Sequence, residues 1–256
     1  MLTRIITIVL VIVSISLTWL LYSKVKGPVD EKQYLAKIEQ QNVAKMKFVR
    51  DLQGMYLSKY GKYCGNWDEL IKFAQSGEVP NVQISEVAYL EDGNGTEKIK
   101  QKIDTLGMIS VRDSLSSQYP NLDISKVNLA AGTNKQFTLF AGTTNAGGVI
   151  LNVFEMKDEY PINPERGAQM NDDGKPYSVT TLISHFTKKS EEVTQEAIEV
   201  QRKMKGKTGE EEKKFQAELD EISKYINLYG KRIEQLETKP LRVGSRTEAS
   251  TAGNWE

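Results

Sequence analysis

The longest apolar run lies near the start of the chain. Residues 5–22 read IITIVLVIVSISLTWLLY, 18 residues without a charge. As a helix they span ~27 Å, enough for a hydrocarbon core. Arg4 closes the run upstream, and Lys24 and Lys26 close it downstream. Trp19 and Tyr22 stand where amphipathic rings favour the lipid–water interface. Thr7, Ser14, Ser16 and Thr18 can return their hydroxyl hydrogen bonds to the helix backbone. Ser14 and Ser16 also have the small-x-small spacing of a signal-peptide cleavage site. A cut there leaves LTWLLY exposed, so an uncleaved anchor is the expectation.

Beyond the run the pattern turns amphipathic. Gly27 and Pro28 are expected to break the membrane helix. A second helix should start near Asp30, capped by that carboxylate, and run to about Tyr60. Leu35, Ile38, Met46, Val49, Leu52 and Tyr56 recur at three- and four-residue steps, with Asn42 filling one turn. That is one apolar stripe. Gly61 is the natural C-terminal cap. Asn66 and Glu69 form a capping pattern that predicts a short helix over 67–75, with Leu70, Ile71, Phe73 and Ala74 inward and Gly77 ending it. Residues 79–82 extend the chain.

In the middle, Ile99, Ile103 and Leu106 predict a helix over 96–106, ended by Gly107. Strands are predicted over 108–111, 127–130, 136–142 and 149–156. The last two read as a hairpin joined by TTNAGG, and Phe137, Leu139 and Ala141 alternate as a half-buried face. Residues 157–178 hold three of the seven prolines and predict a loop with a turn at Asp173 and Gly174.

The clearest periodicity comes last. Phe215, Leu219, Ile222, Ile226, Tyr229, Ile233 and Leu236 are spaced 4, 3, 4, 3, 4, 3, a heptad seam. Upstream, Phe186, Ser190, Val193, Ala197, Val200 and Met204 repeat it, and Gly206 to Gly209 supply a turn. Facing seams and a short turn predict an antiparallel hairpin with Lys- and Glu-rich outer faces. The second helix is longer, roughly 28 residues against 20, which leaves about 12 Å of seam without a partner inside the hairpin. The seam residues are therefore candidates for contact with the body or another chain.

Composition narrows the chemistry. Lys+Arg and Asp+Glu are both 34 in 256 residues, so formal net charge is zero and no basic excess points to nucleic acid. The hydrophobic fraction of 39% is too low for a polytopic membrane protein. One cysteine, Cys64, excludes an internal disulfide, and one histidine, His185, leaves little for metal or acid–base work. The segment EDGNGTEK suggests a calcium loop. Aligning Asp92, Asn94 and Gly95 with its third, fifth and sixth positions puts Leu90 and Gln101 where the essential carboxylates belong. No phosphate-cradling glycine loop, nucleophile elbow or Cys/His metal motif is present, so no cofactor and no catalytic group is expected.

Residues 48–80 carry a further pattern: Tyr56, then Gly61, Lys62 and Tyr63, then Trp67, Asp68 and Leu70. This resembles uncharacterised single-pass membrane proteins of Bacteroidota-type bacteria, with Y-x4-GKY followed by a Phe/Trp-Asp-x-Leu helix. The ending LRVGSRTEASTAGNWE, residues 241–256, is similar to that family's ending. The resemblance implies a membrane-anchored envelope protein and no established activity. The chain is also loosely similar to pilins and pseudopilins. It departs from them: no glycine precedes the apolar run and no glutamate lies five residues into it.

Together these features predict an α+β protein: a transmembrane anchor (1–27), a helical stalk (28–65), an α+β body with a small antiparallel sheet (66–184), an inserted antiparallel coiled-coil hairpin (185–238), and a C-terminal segment packing on the body (239–256). Lys24, Lys26, Lys32 and Lys37 downstream of the run favour a cytoplasmic body. The short N-terminus and the family resemblance favour an inner-membrane protein with a periplasmic body, which is the orientation expected. The function expected is a non-enzymatic structural or docking subunit of a cell-envelope assembly. Its partners are the bilayer and other envelope proteins, a homo-oligomer among them. A pseudopilin-like subunit is the alternative, and a ligand-binding or enzymatic domain the third.

Overall fold

A computed structural model describes the backbone of residues 2–90 and 97–256, and the side chains of these except 2–9, 11, 23, 82–90 and 97–105. The chain is α+β, with helices and two small antiparallel sheets. Helix α1 (Leu2–Tyr60) runs unbroken for 59 residues, ~88 Å at the helical rise. Pro28 lies inside it, so the expected break at Gly27 and Pro28 does not occur, and Asp30 is an internal residue rather than a cap. Proline removes only the bond to the Lys24 carbonyl, and both residues are exposed, so water can satisfy it.

The N-terminal half of α1 stands clear of the rest: Leu10, Trp19, Val25 and Tyr34 are exposed. Among the described residues no helix is long and apolar enough to cross a membrane. Part of the run over 5–22 lies outside the residues whose side chains are described. From Ile38 onward α1 becomes the centre of the body. Ile38, Asn42, Met46, Val49, Leu52 and Tyr56 are buried, as the stripe predicts, and Phe48 and Gln53 widen it. Stalk and body therefore share one core. Against α1 pack α2 (Trp67–Ser76), capped by Asn66, and the short α3 (Val111–Ser116), capped by Ser110.

Strands β1 (Glu78–Leu90) and β2 (Glu97–Ser110) form a two-stranded ribbon, paired from Glu78 with Ser110 to Leu90 with Glu97. The helix predicted over 96–106 is thus a strand, apart from Thr96, which lies outside the described residues. A spacing of four residues satisfies both a helical turn and a strand's alternation, so Ile99 and Ile103 do not discriminate. The partner strand decides. Gly107 takes a φ of 141° beside the register shift at Asn81 and Val82, a conformation closed to most side chains. The strand expected over 108–111 is the end of β2, and Val111 opens α3 instead.

The second sheet has the order β3 (Thr138–Ala146), β4 (Val149–Lys157) and β5 (Arg242–Gly244). Its hairpin turns on Gly147 and Gly148 alone, both at positive φ, so residues 143–146 belong to β3 rather than to the turn. Residues 127–130 are no strand. They follow a 3-10 turn (Ile124–Lys126) capped by Asp123, and only Leu129 bridges to Gln136. In the following loop the Gly174 N–H donates to the Asn171 carbonyl at 2.9 Å, the turn expected there. The Gly- and Asn-rich turn expected at residues 91–96, whose flanks lack the carboxylates of a calcium loop, lies outside the described residues.

Helices α4 (Val179–Met204) and α5 (Glu210–Thr238) form the antiparallel hairpin, and they pack mainly on each other. Gly206 and Gly209 both take positive φ in the turn. The first helix starts at Val179, capped by Ser178, and not near Phe186. With 26 residues against 29, the overhang expected at the end of α5 disappears: Leu236 packs on Val179 and Leu182. The β-branched residues Val179, Thr180 and Thr181 are weak helix formers, which hides this first turn from periodicity. The chain then returns through β5. Gly253 bridges to Val243, Trp255 packs on the main core, and Glu256 pairs with Arg50 at 2.7 Å.

Candidate functional site

The residues of the family-like pattern build a knot where α1 turns into α2. Gly61, at a φ of 69°, donates its N–H to the Leu57 carbonyl and ends α1. Tyr56 is buried and its hydroxyl donates to Glu69; burial first, then that contact, pushes its ionisation upward. Tyr63 packs on Phe154 of β4, the two rings tilted by 53° with centroids 4.8 Å apart. The Trp67 indole N–H donates to the Phe137 carbonyl at 2.9 Å, Leu70 is fully buried, and the Asp68 N–H donates to the Asn66 cap at 2.9 Å. Lys62 and the Asp68 side chain face solvent. These groups lock two helices and a sheet together; they do not converge on a cleft.

The knot's central polar element has no signal in the apolar pattern. Gln53, fully buried, donates from Nε2 to the Cys64 carbonyl at 2.6 Å and accepts from the Cys64 N–H at 2.9 Å. The amide thus pairs with Cys64 as a neighbouring strand would. Burial pushes the Cys64 thiol up, and Sγ donates to the Asn66 carbonyl at 3.3 Å, so the thiolate is disfavoured. His185 is exposed on α4, beside Phe186. Among the described residues no three His, Cys, Asp or Glu side chains gather as metal ligands. A groove of about 550 Å³ beside α1 contains Lys45 and Lys126. Lys45 is committed there: Nζ donates to the Leu129 carbonyl at 2.6 Å and the Lys126 carbonyl at 3.1 Å.

A second polar cluster ties the stalk to the root of the helical hairpin. Glu39 of α1 accepts from Arg166 Nε at 2.9 Å and from Asn163 Nδ2 at 2.8 Å. Nearby, Asp158 is 6% exposed. Burial pushes its carboxyl up to about 6, Glu159 adds to this, and the Tyr160 N–H at 3.0 Å opposes it. Glu159 accepts from the Ser178 hydroxyl and from the Thr180 N–H at 2.7 Å, and so holds the first turn of α4. The only sequence signal for this cluster is a pair of acids inside the proline-rich stretch DEYPINPER.

The hairpin forms an arm. Along its seam Leu219, Ile222 and Leu236 are buried, and Phe215, Ile226, Tyr229 and Ile233 are half-buried. The seam splits into a root cluster around Leu236 and an outer cluster of Val200, Leu219 and Ile222, both distinct from the core around α1. The seam residues thus face the arm's other helix, and Ile222 and Tyr229 also line a groove on its flank. What remains outside is a flank where Tyr225 is 47% and Leu228 58% exposed. A groove of about 360 Å³ runs beside Tyr225, with the more buried Val193, Ile222 and Tyr229 in its floor. Comparison with protein-family models, curated proteins and solved structures finds no match for this chain.

Proposed function

We propose that this protein is a non-enzymatic docking subunit, anchored in a bacterial inner membrane by residues 5–22 and presenting its helical arm to another envelope protein on the periplasmic side. The observation that carries this reading is the arm itself. It closes on apolar clusters of its own, is tied to the body at its root, and leaves Tyr225 and Leu228 exposed. The apolar run and its flanking Trp19 and Tyr22 support the anchor. The similarity to single-pass envelope proteins supports the orientation. Cys64 and Lys45 are engaged with backbone carbonyls that hold the fold together. A pseudopilin-like subunit is the second reading, favoured by the unbroken passage of α1 from the apolar run into the body.

The test replaces residues 188–231 with a Gly-Ser link, which keeps the root contact of Val179, Leu182 and Leu236. The expected result is a protein that stays in the membrane fraction, melts like the parent body, and loses its partner in pull-downs from native membranes. A body that no longer folds, or a variant that keeps every partner, overturns the docking role. Recovery of the parent protein in the soluble fraction overturns the anchor.

A further inference from the structure

We propose that the flank groove of the arm receives a basic amphipathic helix of a partner protein. This deepens the docking reading above and rests on it. The groove lies between α4 and α5, and its floor is apolar. Tyr225 stands half out of it, and Leu228 continues the same stripe along α5. An exposed stripe beside a two-helix seam is where a third helix would pack, because its own apolar face would complete a three-helix bundle.

The rim decides the charge of the occupant. Glu196 of α4 and Glu218 and Glu221 of α5 line the groove, and none of their carboxylates has an ion pair or hydrogen bond to another described residue. Three unpaired carboxylates around an apolar floor repel an anionic lipid surface and an acidic helix. They complement lysines or arginines flanking an apolar stripe. From Glu218 to Tyr229 the groove runs ~17 Å along α5, three turns, so the occupant needs a leucine-like side chain on each of three successive turns. The apolar floor would supply most of the affinity and the glutamates the orientation and the choice of partner.

The probe is a fluorescein-labelled synthetic helix with leucines at three- and four-residue steps, flanked by lysines. Its control carries glutamates at the lysine positions. Binding is read by anisotropy on the full chain in neutral-lipid nanodiscs, with empty discs as the blank. The wild type should bind the lysine helix at least roughly tenfold tighter than the glutamate helix. The variant E196K/E218K/E221K should reverse that preference. E210K/E211K/E212K, at the first turn of α5 and outside the groove, should keep it. Tyr225→Ala should weaken the lysine helix severalfold without changing the arm's helicity. No discrimination by the wild type, or equal loss in the tip variant, overturns the proposal. Native-membrane pull-downs separate it from the docking reading. If arm replacement removes the partner and the groove variant does not, the groove falls and docking stands. If arm replacement removes nothing, docking itself falls.

Discussion

Gln53 offers the sharpest test of how the body is held together. Replacing it with leucine keeps volume and removes both bonds to Cys64, the donated one at 2.6 Å and the accepted one at 2.9 Å. The Cys64 N–H and carbonyl would then be buried without a partner, since both bonds lie in the interior. Each orphaned group costs about 1–3 kcal/mol. Burying the leucine side chain in place of the amide returns about 1–2 kcal/mol. The net loss expected is about 1–4 kcal/mol, a sizeable share of the ~5–15 kcal/mol that holds a domain folded. Urea denaturation of the full chain, followed by tryptophan fluorescence, measures it. Labelling of Cys64 by a thiol reagent gives an independent readout, because the loop at residues 62–66 loses its tether and the thiol should react faster. A midpoint within about 0.5 kcal/mol of wild type, with unchanged labelling, refutes the reasoning, since most surface substitutions fall in that range.

Asp158→Asn should stabilise the protein at neutral pH. Its carboxyl, pushed up to about 6 by burial, holds its proton in the folded chain where the unfolded chain has released it, so its contribution to stability improves as pH falls from about 6 to about 4. The gain in the asparagine variant should be on the order of 1–3 kcal/mol at pH 8 and close to none at pH 4; an equal gain at both contradicts a buried acid as the cause. Ile226→Asp places an unpaired charge among the half-buried seam residues and should melt the outer arm, lowering far-UV helicity while the tryptophan transition of the body stays in place. A single transition displaced as a whole would show that arm and body unfold together.

The helices were readable because burial on one face repeats every three to four residues. That held for the stripe from Leu35 to Tyr56 and for both sides of the arm. The ribbon was not readable on the same ground. Ile99 and Ile103 stand four apart, which suits a helix turn and a strand equally, and the deciding partner, Ile84 opposite Ile103, lies nineteen positions away in the register. Pro28 failed as a breaker for the converse reason. One lost hydrogen bond near solvent is a small deficit beside the many bonds that hold a long helix on either side. The start of α4 was missed because it is set by Ser178 and Glu159, polar groups that carry no period.

The same asymmetry governs what could be learned of the site. A heptad seam reveals that an arm exists, because the residues at its repeating positions are the ones that two helices bury against each other. Those residues are then consumed: Leu219, Ile222 and Leu236 end inside the hairpin. The groove proposed for a partner takes Val193, Ile222 and Tyr229 of the repeat as its floor; Tyr225 at its edge and Leu228 one turn on lie off the repeat, and in a sequence these two read as exceptions to a polar face. Their meaning comes from what the fold sets beside them: Val193 and Glu196 of the other helix, some thirty positions upstream. Periodicity therefore locates the scaffold of such an arm, and the departures from it, Tyr225 and the three glutamates, mark what the proposed groove adds to that scaffold. This is why the arm's test substitution belongs at Ile226, while the test of what it binds belongs at Tyr225 and the three glutamates.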